Sequence, residues 1–486
     1  MIPAPLLIIL VPIVAAIPAY FLRRWRVIEV FIAAIACGFV ILLLSRPVDA
    51  GTGTALSLGG FTIDLQTPVN MFGRVLAVRI SDRIPLLLLF SVALALFLLG
   101  LTVSQGWTFI PLGLGILALV STGLMIRPFV YMALAFEAAA AVAAIMIQAE
   151  RNGKDSTRGA MRYLIISTIA LPAFLGAGYA VTQAGGISDP LLQVSAYRPA
   201  TILLGIALVL SFGALPIFTW THSVATDAPP LTTAFLAAIG TGAVTFLFLA
   251  LKQDYDWFGA SPDVASLCNL FGITSIVFGG LLGWAQRSFG RVIACGLSVE
   301  IGSTLLLMNH STSLSVEAAA FAIAARALSL GVMGIGIAII RERAGSDEFA
   351  QIVGLGKRNL WATLAIAIGG LSLAGLPGTI GFVSRWTTAR VLGQTDLEVL
   401  VLTMVVGVSI GAGMLRGITA LFGHADAPVL ALQHPVNKHK RVQAVTIAVV
   451  VALLILAGIV PGVTAPVTKT IAENYTFYPQ GTQSRR

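Results

Sequence analysis

The chain has 486 residues, of which 57% are hydrophobic and 10% charged, with a formal net charge of +9. A charged fraction so far below the roughly 25% of soluble domains excludes a water-soluble fold. The positive balance does not indicate nucleic acid, because the basic residues fall in short loops between apolar runs.

Those runs, each about twenty residues, recur to about residue 463 and suffice to cross a hydrocarbon core of roughly 30 Å. The expected fold is an all-α polytopic membrane protein of about fourteen transmembrane helices. The spans fall near 1–20, 27–45, 86–104, 107–126, 128–149, 161–183, 199–220, 231–251, 266–285, 291–309, 316–341, 359–391, 397–423 and 443–463. The first imitates a signal peptide through small residues near Ala15–Ala19, yet it lacks a basic start and is followed by "RRWR", so it reads as a retained span.

Lys and Arg concentrate in alternate loops, at Arg23–Arg26, Ala149–Arg162, Gln286–Arg291, Arg341–Arg358 and His434–Arg441. By the rule that positive loops stay inside, those loops are cytoplasmic and both termini face outward. The outward loop 46–85 departs from the rule with Arg46, Arg74, Arg79 and Arg83. Its alternating pattern around Gly59-Gly60 predicts a short hairpin on the outer surface.

Cys37, Cys268 and Cys295 are scattered in apolar context and match no zinc or iron–sulfur spacing, so they read as buried thiols. No redox centre or cofactor is expected in this chain. His434 and His439 have no acidic or thiol partner at ligand spacing, which favours a solvated loop over a metal site.

Two prolines interrupt long apolar segments, Pro216 in "GALPIFTW" and Pro377 in "AGLPGTIGFVSRW". In lipid such a proline is tolerated only where the freed carbonyl faces protein or water. Either each proline only kinks a packed helix, or each breaks one. Because they lie five spans apart, the second reading makes two inverted five-helix repeats, the plan of many ion-transporting proteins. The chain then divides into N-terminal spans and outer loop (1–106), a first repeat (107–251), a second repeat (266–423) and a last span with tail (424–486).

Three segments carry a family resemblance. "GALPIFTWTHSVATDAPPLTTAFLAA" and "GLGKRNLWATLAIAIGGLSLAGLPGTIGFVSRW" resemble two signature segments of the proton-conducting, antiporter-like subunits of respiratory complex I, and "RSFGRVIACGLSVEIG" resembles a third more weakly. The resemblance covers roughly residues 107–423, and the chain looks most like the N or M type. The same family includes subunits of multisubunit sodium/proton antiporters and of membrane-bound hydrogenases.

Ionisable groups inside a span are functional candidates by default. Glu137, in the middle of the fifth span, matches the family's glutamate; the alternative is a structural carboxylate paired with Arg162. The family's lysines of the seventh and eighth spans fall on Ser211 and Thr241, whose hydroxyls can hold water but cannot store charge. Arg385 stands at the twelfth-span lysine or glutamate, Glu300 at the tenth-span histidine, and Arg326 where a histidine is usual. Glu300 and Arg326 both reach the midplane and are expected to form a buried ion pair, whereas Arg385 is a fixed charge, not a proton carrier. Arg416 reads as a snorkelling surface residue.

The resemblance implies a subunit in the membrane arm of a complex I-like NAD(P)H or ferredoxin dehydrogenase, in a prokaryotic-type energy-transducing membrane. Lipid and other membrane subunits are its partners, and the redox groups belong to other chains. Either protons still move through Glu137 with a rewired network, or this copy has lost pumping and serves as a spacer. A subunit of a sodium/proton antiporter or ion-translocating hydrogenase is the alternative, and a stand-alone secondary transporter a third class.

Overall fold

In the computed structural model, helices form wherever the sequence offers a long apolar run, because a segment inside lipid must satisfy its own backbone hydrogen bonds. The structure describes residues 2–46, 54–58, 61–65, 67–71, 73–103, 105–148, 157–186, 195–214, 220–310, 312–394, 397–424, 440–460, 462 and 465–475. Helices α1 (Ala4–Phe21), α2 (Arg26–Ser45) and α3 (Ile80–Leu99) come first. Then follow α4 (Phe109–Met125), α5 (Phe129–Ile147), α6 (Thr157–Gly185), α7 (Arg198–Phe212), α8 (Trp220–Asp227) and α9 (Pro230–Asp254). The second half holds α10 (Pro262–Gly283), α11 (Phe289–Asn309), α12 (Ser313–Ala344), α13 (Leu360–Leu373), α14 (Ile380–Leu392) and α15 (Leu397–Phe422). Two helices close the chain, α16 (Lys440–Ile459) and α17 (Ala465–Asn474).

Among the described residues, 11 helices are long and apolar enough to cross a membrane, and α4, α7 and α13 are shorter apolar helices. Length and apolarity alone therefore do not fix the expected count of about fourteen. The layering is set by burial: in their most apolar stretches α9, α12 and α11 are 94%, 89% and 83% buried, against 22% for α6. Three helices form the interior, and α1, α6, α10, α15 and α16 present apolar side chains outward. α12 runs for 32 residues, starting at a capping box between Thr312 and Ser315 and stopping at Gly345. Its packing against α3, α9, α11, α13, α14, α16 and α17 makes it the central post.

The expected single span over 359–391 is two helices, α13 and α14, separated by a turn around Pro377. Pro216 lies outside the described residues; on either side of it, α7 ends at Phe212 and α8 begins at Trp220. The hairpin expected in the loop 46–85 is present, with Leu58 paired to Phe61 and Ser57 to Thr62, and the N-terminal Ile2–Pro3 adds to it in parallel. A second small sheet joins 69–71, 74–76 and Ile126–Arg127. α17 was not anticipated: its ten residues pack on α12 and α3 and bury Thr468, Ile471 and Ala472. The loop holding His434 and His439 lies outside the described residues, and Cys37, Cys268 and Cys295 are buried.

Candidate ion pathway

The first polar site lies between α5, α6, α7 and α9. Glu137 is the ninth residue of α5 and so sits at mid-helix, half-buried. It lines a cavity of about 80 Å³ with Tyr163, Ser167, Ser211, Trp220 and Gly240. The hydroxyl of Thr168, on the exposed side of α6, donates to Glu137 Oε1 at 2.6 Å. No ion pair joins Glu137 to Arg162 among the described residues. Ser211 faces the cavity while its hydroxyl proton is committed to the Ala207 carbonyl at 2.8 Å, leaving its lone pairs to accept from water.

α9 forms the partition between this cavity and the second site. Leu236–Gly240 widens into a π turn, a form that frees a backbone carbonyl from its usual partner and recurs at functional sites. Within that turn Ala237 O accepts from Thr241 Oγ1 at 2.5 Å and from Arg326 Nη1 at 3.4 Å. Arg326 Nη1 also donates to Thr241 Oγ1, and its Nη2 to Thr304 Oγ1 at 3.3 Å. Gly240 faces the first cavity and Thr241 the arginine, so the two sites stand back to back across one turn of helix.

Arg326 is 2% exposed at the middle of α12, and its nearest carboxylate is Glu300 of α11, Nη2 to Oε2 3.9 Å. The other oxygen of Glu300, Oε1, lies 3.9 Å from Nη2 of Arg385. The cluster therefore has three members, one carboxylate held between two guanidiniums. Ser303, Thr304, Ser384, Thr388 and Thr403 line a void of about 10 Å³ beside it, roughly the space one water needs. Separations of 3.9 Å are too long for hydrogen bonds and suit such a bridge.

The helix break explains how Arg385 fits. α13 stops because Gly375 turns left-handed (φ 82°), which leaves last-turn carbonyls without helical donors. Arg385 Nη2 takes one of them, Leu373 O, at 3.1 Å, and its Nη1 takes Thr403 O at 3.2 Å. A Cβ at Gly375 would strike the Arg385 side chain, and one at Gly407 would lie 2.7 Å from its Nη1. The first break has the same form: Gly213 is left-handed (φ 72°), and the indole of Trp220 fills the space a Cβ would need.

Of the residues singled out by sequence, Glu137 and Ser211 meet in the first cavity, and Glu300, Arg326, Arg385 and Thr241 in the second cluster. Pairing Arg326 with Glu300 alone was incomplete, because Arg385 reaches the same carboxylate from the far side of the break. Thr241 belongs to the arginine network, not to the cavity that Ser211 lines. Sequence reading missed Thr168 and Tyr163, whose only signal is helical spacing on α6. Arg416, on the exposed side of α15, donates to the Trp284 carbonyl.

The transmembrane family of NADH:quinone oxidoreductases and Mrp antiporters has a sequence profile that matches residues 128–411, more than half of the chain. NADH-quinone oxidoreductase subunit N of Ectopseudomonas mendocina is 29% identical over 326 residues, covering 63% of this chain and 64% of that protein. Its counterpart in Alkalilimnicola ehrlichii is 27% identical over 282 residues, covering 55% and 57%. The match thus spans less than two thirds of these relatives. Among solved structures, a chain of the Mrp complex from Dietzia superposes with TM-score 0.77 at 15% identity over 97% of both chains. A chain of the archaeal membrane-bound sulfane sulfur reductase gives 0.77 at 18% over 97% of both, and one of Thermus thermophilus complex I gives 0.70 at 19% over 94% and 98%. By its matched core this multi-pass membrane chain belongs to the NADH:quinone oxidoreductase/Mrp antiporter transmembrane family.

Proposed function

We propose that the chain is a membrane-arm subunit of a complex I-like NAD(P)H- or ferredoxin–quinone oxidoreductase, with one protonatable half and one electrostatically fixed half. The similarity to subunit N proteins supports the complex, and the observation that carries the division of labour is Glu300 held between Arg326 and Arg385. A proton relay needs groups that change charge, and arginine stays protonated. The second half therefore supplies a standing field, and protons pass, if this copy pumps, by Glu137 and the hydroxyl-lined cavity beside it. Pumping is altered relative to relatives with lysines where Ser211 and Thr241 stand.

A neighbouring membrane subunit covers the face of α5 and α6. Glu137 is bonded to a threonine on the exposed side of the least buried long helix, and a carboxylate at mid-membrane is not left facing hydrocarbon. The test is purification of the tagged chain from its native membrane with identification of its stable neighbours. Quinone-site and dehydrogenase-module subunits are expected; a set of small antiporter subunits would replace this reading with that of an Mrp-type assembly, whose fold is equally similar.

A further inference from the structure

Among the described residues, the hydroxyls of Tyr163, Ser167 and Ser211 line the cavity beside Glu137, and that of Thr168 bonds the carboxylate itself. They differ in what their protons do. Ser167 Oγ donates to the Tyr163 and Leu164 carbonyls, each at 3.0 Å, and Ser211 Oγ to the Ala207 carbonyl at 2.8 Å. Thr168 gives its proton to Glu137 Oε1 at 2.6 Å. Tyr163 Oη is hydrogen-bonded to none of the described residues, so its proton and its lone pairs both remain for water.

That difference decides which side chain can pass a proton on. Transfer along a file of water needs a group that accepts from one neighbour as it donates to the next. A serine whose proton is committed to a backbone carbonyl only accepts; it holds a water in place and ends the file. A phenol does both and stays neutral: a proton arrives on a lone pair of Oη as the original O–H proton leaves for the next oxygen. The cavity, about 80 Å³, has room for several waters at roughly 10–15 Å³ each.

Depth places Tyr163 on the way in. Glu137 and Ser167 each lie about 15 Å from the ends of α5 and α6 at which those two helices are joined, and Tyr163 lies about 9 Å from the same end. That end carries the basic loop Ala149–Arg162. The ring of Tyr163 is held edge-on by Trp220, centroids 5.5 Å apart at 88°, and Trp220 is itself seated in the notch of Gly213. The phenol is thus fixed in place by the first helix break.

We propose that the Tyr163 hydroxyl is the side-chain relay through which protons reach Glu137 from the end of the bundle where α6 begins. The inference rests on the reading of Glu137 as the protonatable group of the first half; it adds the side from which that group is loaded and the residue that loads it. The proton passes from water to Tyr163 Oη, from Oη to water in the cavity, and from there to Glu137 Oε2, the oxygen not bonded to Thr168.

The test compares Tyr163→Phe with Tyr163→His in the intact, normally assembled complex in sealed vesicles, reading the proton-to-electron ratio. Phenylalanine keeps the ring and its contact with Trp220 and removes only the oxygen. Histidine disturbs the packing but restores a neutral ring that accepts at one nitrogen and donates at the other. A relay predicts a fall for Tyr163→Phe as large as that for Glu137→Gln, with part of the loss recovered in Tyr163→His; a packing role predicts the reverse order. Tyr179→Phe, an exposed tyrosine of the same helix outside the cavity, should keep the parent's ratio. A parental ratio in Tyr163→Phe alongside a lowered one in Glu137→Gln overturns the relay and leaves Glu137 as the protonatable group. A Tyr163→His ratio no higher than that of Tyr163→Phe also overturns the relay. Parental ratios in both Glu137→Gln and Tyr163→Phe overturn the reading of Glu137, and the relay with it.

Discussion

The two helix breaks share a backbone device and differ in what fills it. In each, a glycine turns left-handed just before a Leu-Pro pair, and a large side chain from the following helix occupies the notch above it. At Gly213 the filler is the neutral indole of Trp220, itself packed edge-on against Tyr163, and the cavity they line also holds Glu137 with a neutral hydroxyl partner. At Gly375 the filler is the guanidinium of Arg385, and the neighbouring carboxylate is caught between it and Arg326. One scaffold thus holds a carboxylate bonded to a neutral hydroxyl on one side and a carboxylate between two guanidiniums on the other. The backbone turn is the same at both breaks, and the side chain over the glycine is what differs.

Substitutions that unbalance the fixed cluster should break this contrast most visibly. Glu300→Gln leaves two buried guanidiniums without a counter-charge and should cost about 3–5 kcal/mol in thermal unfolding of the purified chain. Arg326→Met should cost less, because Arg385 remains to neutralise Glu300; if it cost more than Glu300→Gln, the three-membered cluster would be the wrong description. Next in size are the notches. Gly375→Ala and Gly213→Ala each force a left-handed alanine against a large side chain, for about 1–3 kcal/mol apiece by the same assay, and similar losses would confirm that the breaks are built alike. Smallest is Thr168→Val, which removes one hydroxyl from a half-buried carboxylate and should cost about 1 kcal/mol, with no effect on the Glu300 cluster.

The helical membrane fold was legible because apolar runs of about twenty residues have few other uses. The break at Pro377 was legible for a similar reason, since proline cannot donate and the glycines beside it admit positive φ. Glu300 and Arg326 could be paired by depth alone, each lying mid-helix in neighbouring spans. Arg385 could not be assigned to the same carboxylate, because the turn after Leu373 redirects α14 and no helical periodicity carries across a break. The π turn at Leu236–Gly240 has no sequence signature in a run of small and apolar residues, so the side of α9 on which Thr241 falls was unreadable. α17 escaped notice because ten residues with one buried stripe look like any tail.

The contrast between the halves is tested most directly by the proton-to-electron ratio of the intact complex in sealed vesicles, compared between Glu137→Gln and the parent. Glu137→Gln keeps the shape and the Thr168 contact while removing the charge, so assembly should be unchanged and the ratio should fall. A ratio equal to the parent's, in a complex that assembles normally, would contradict a protonatable first half and leave the chain as a spacer between its neighbours.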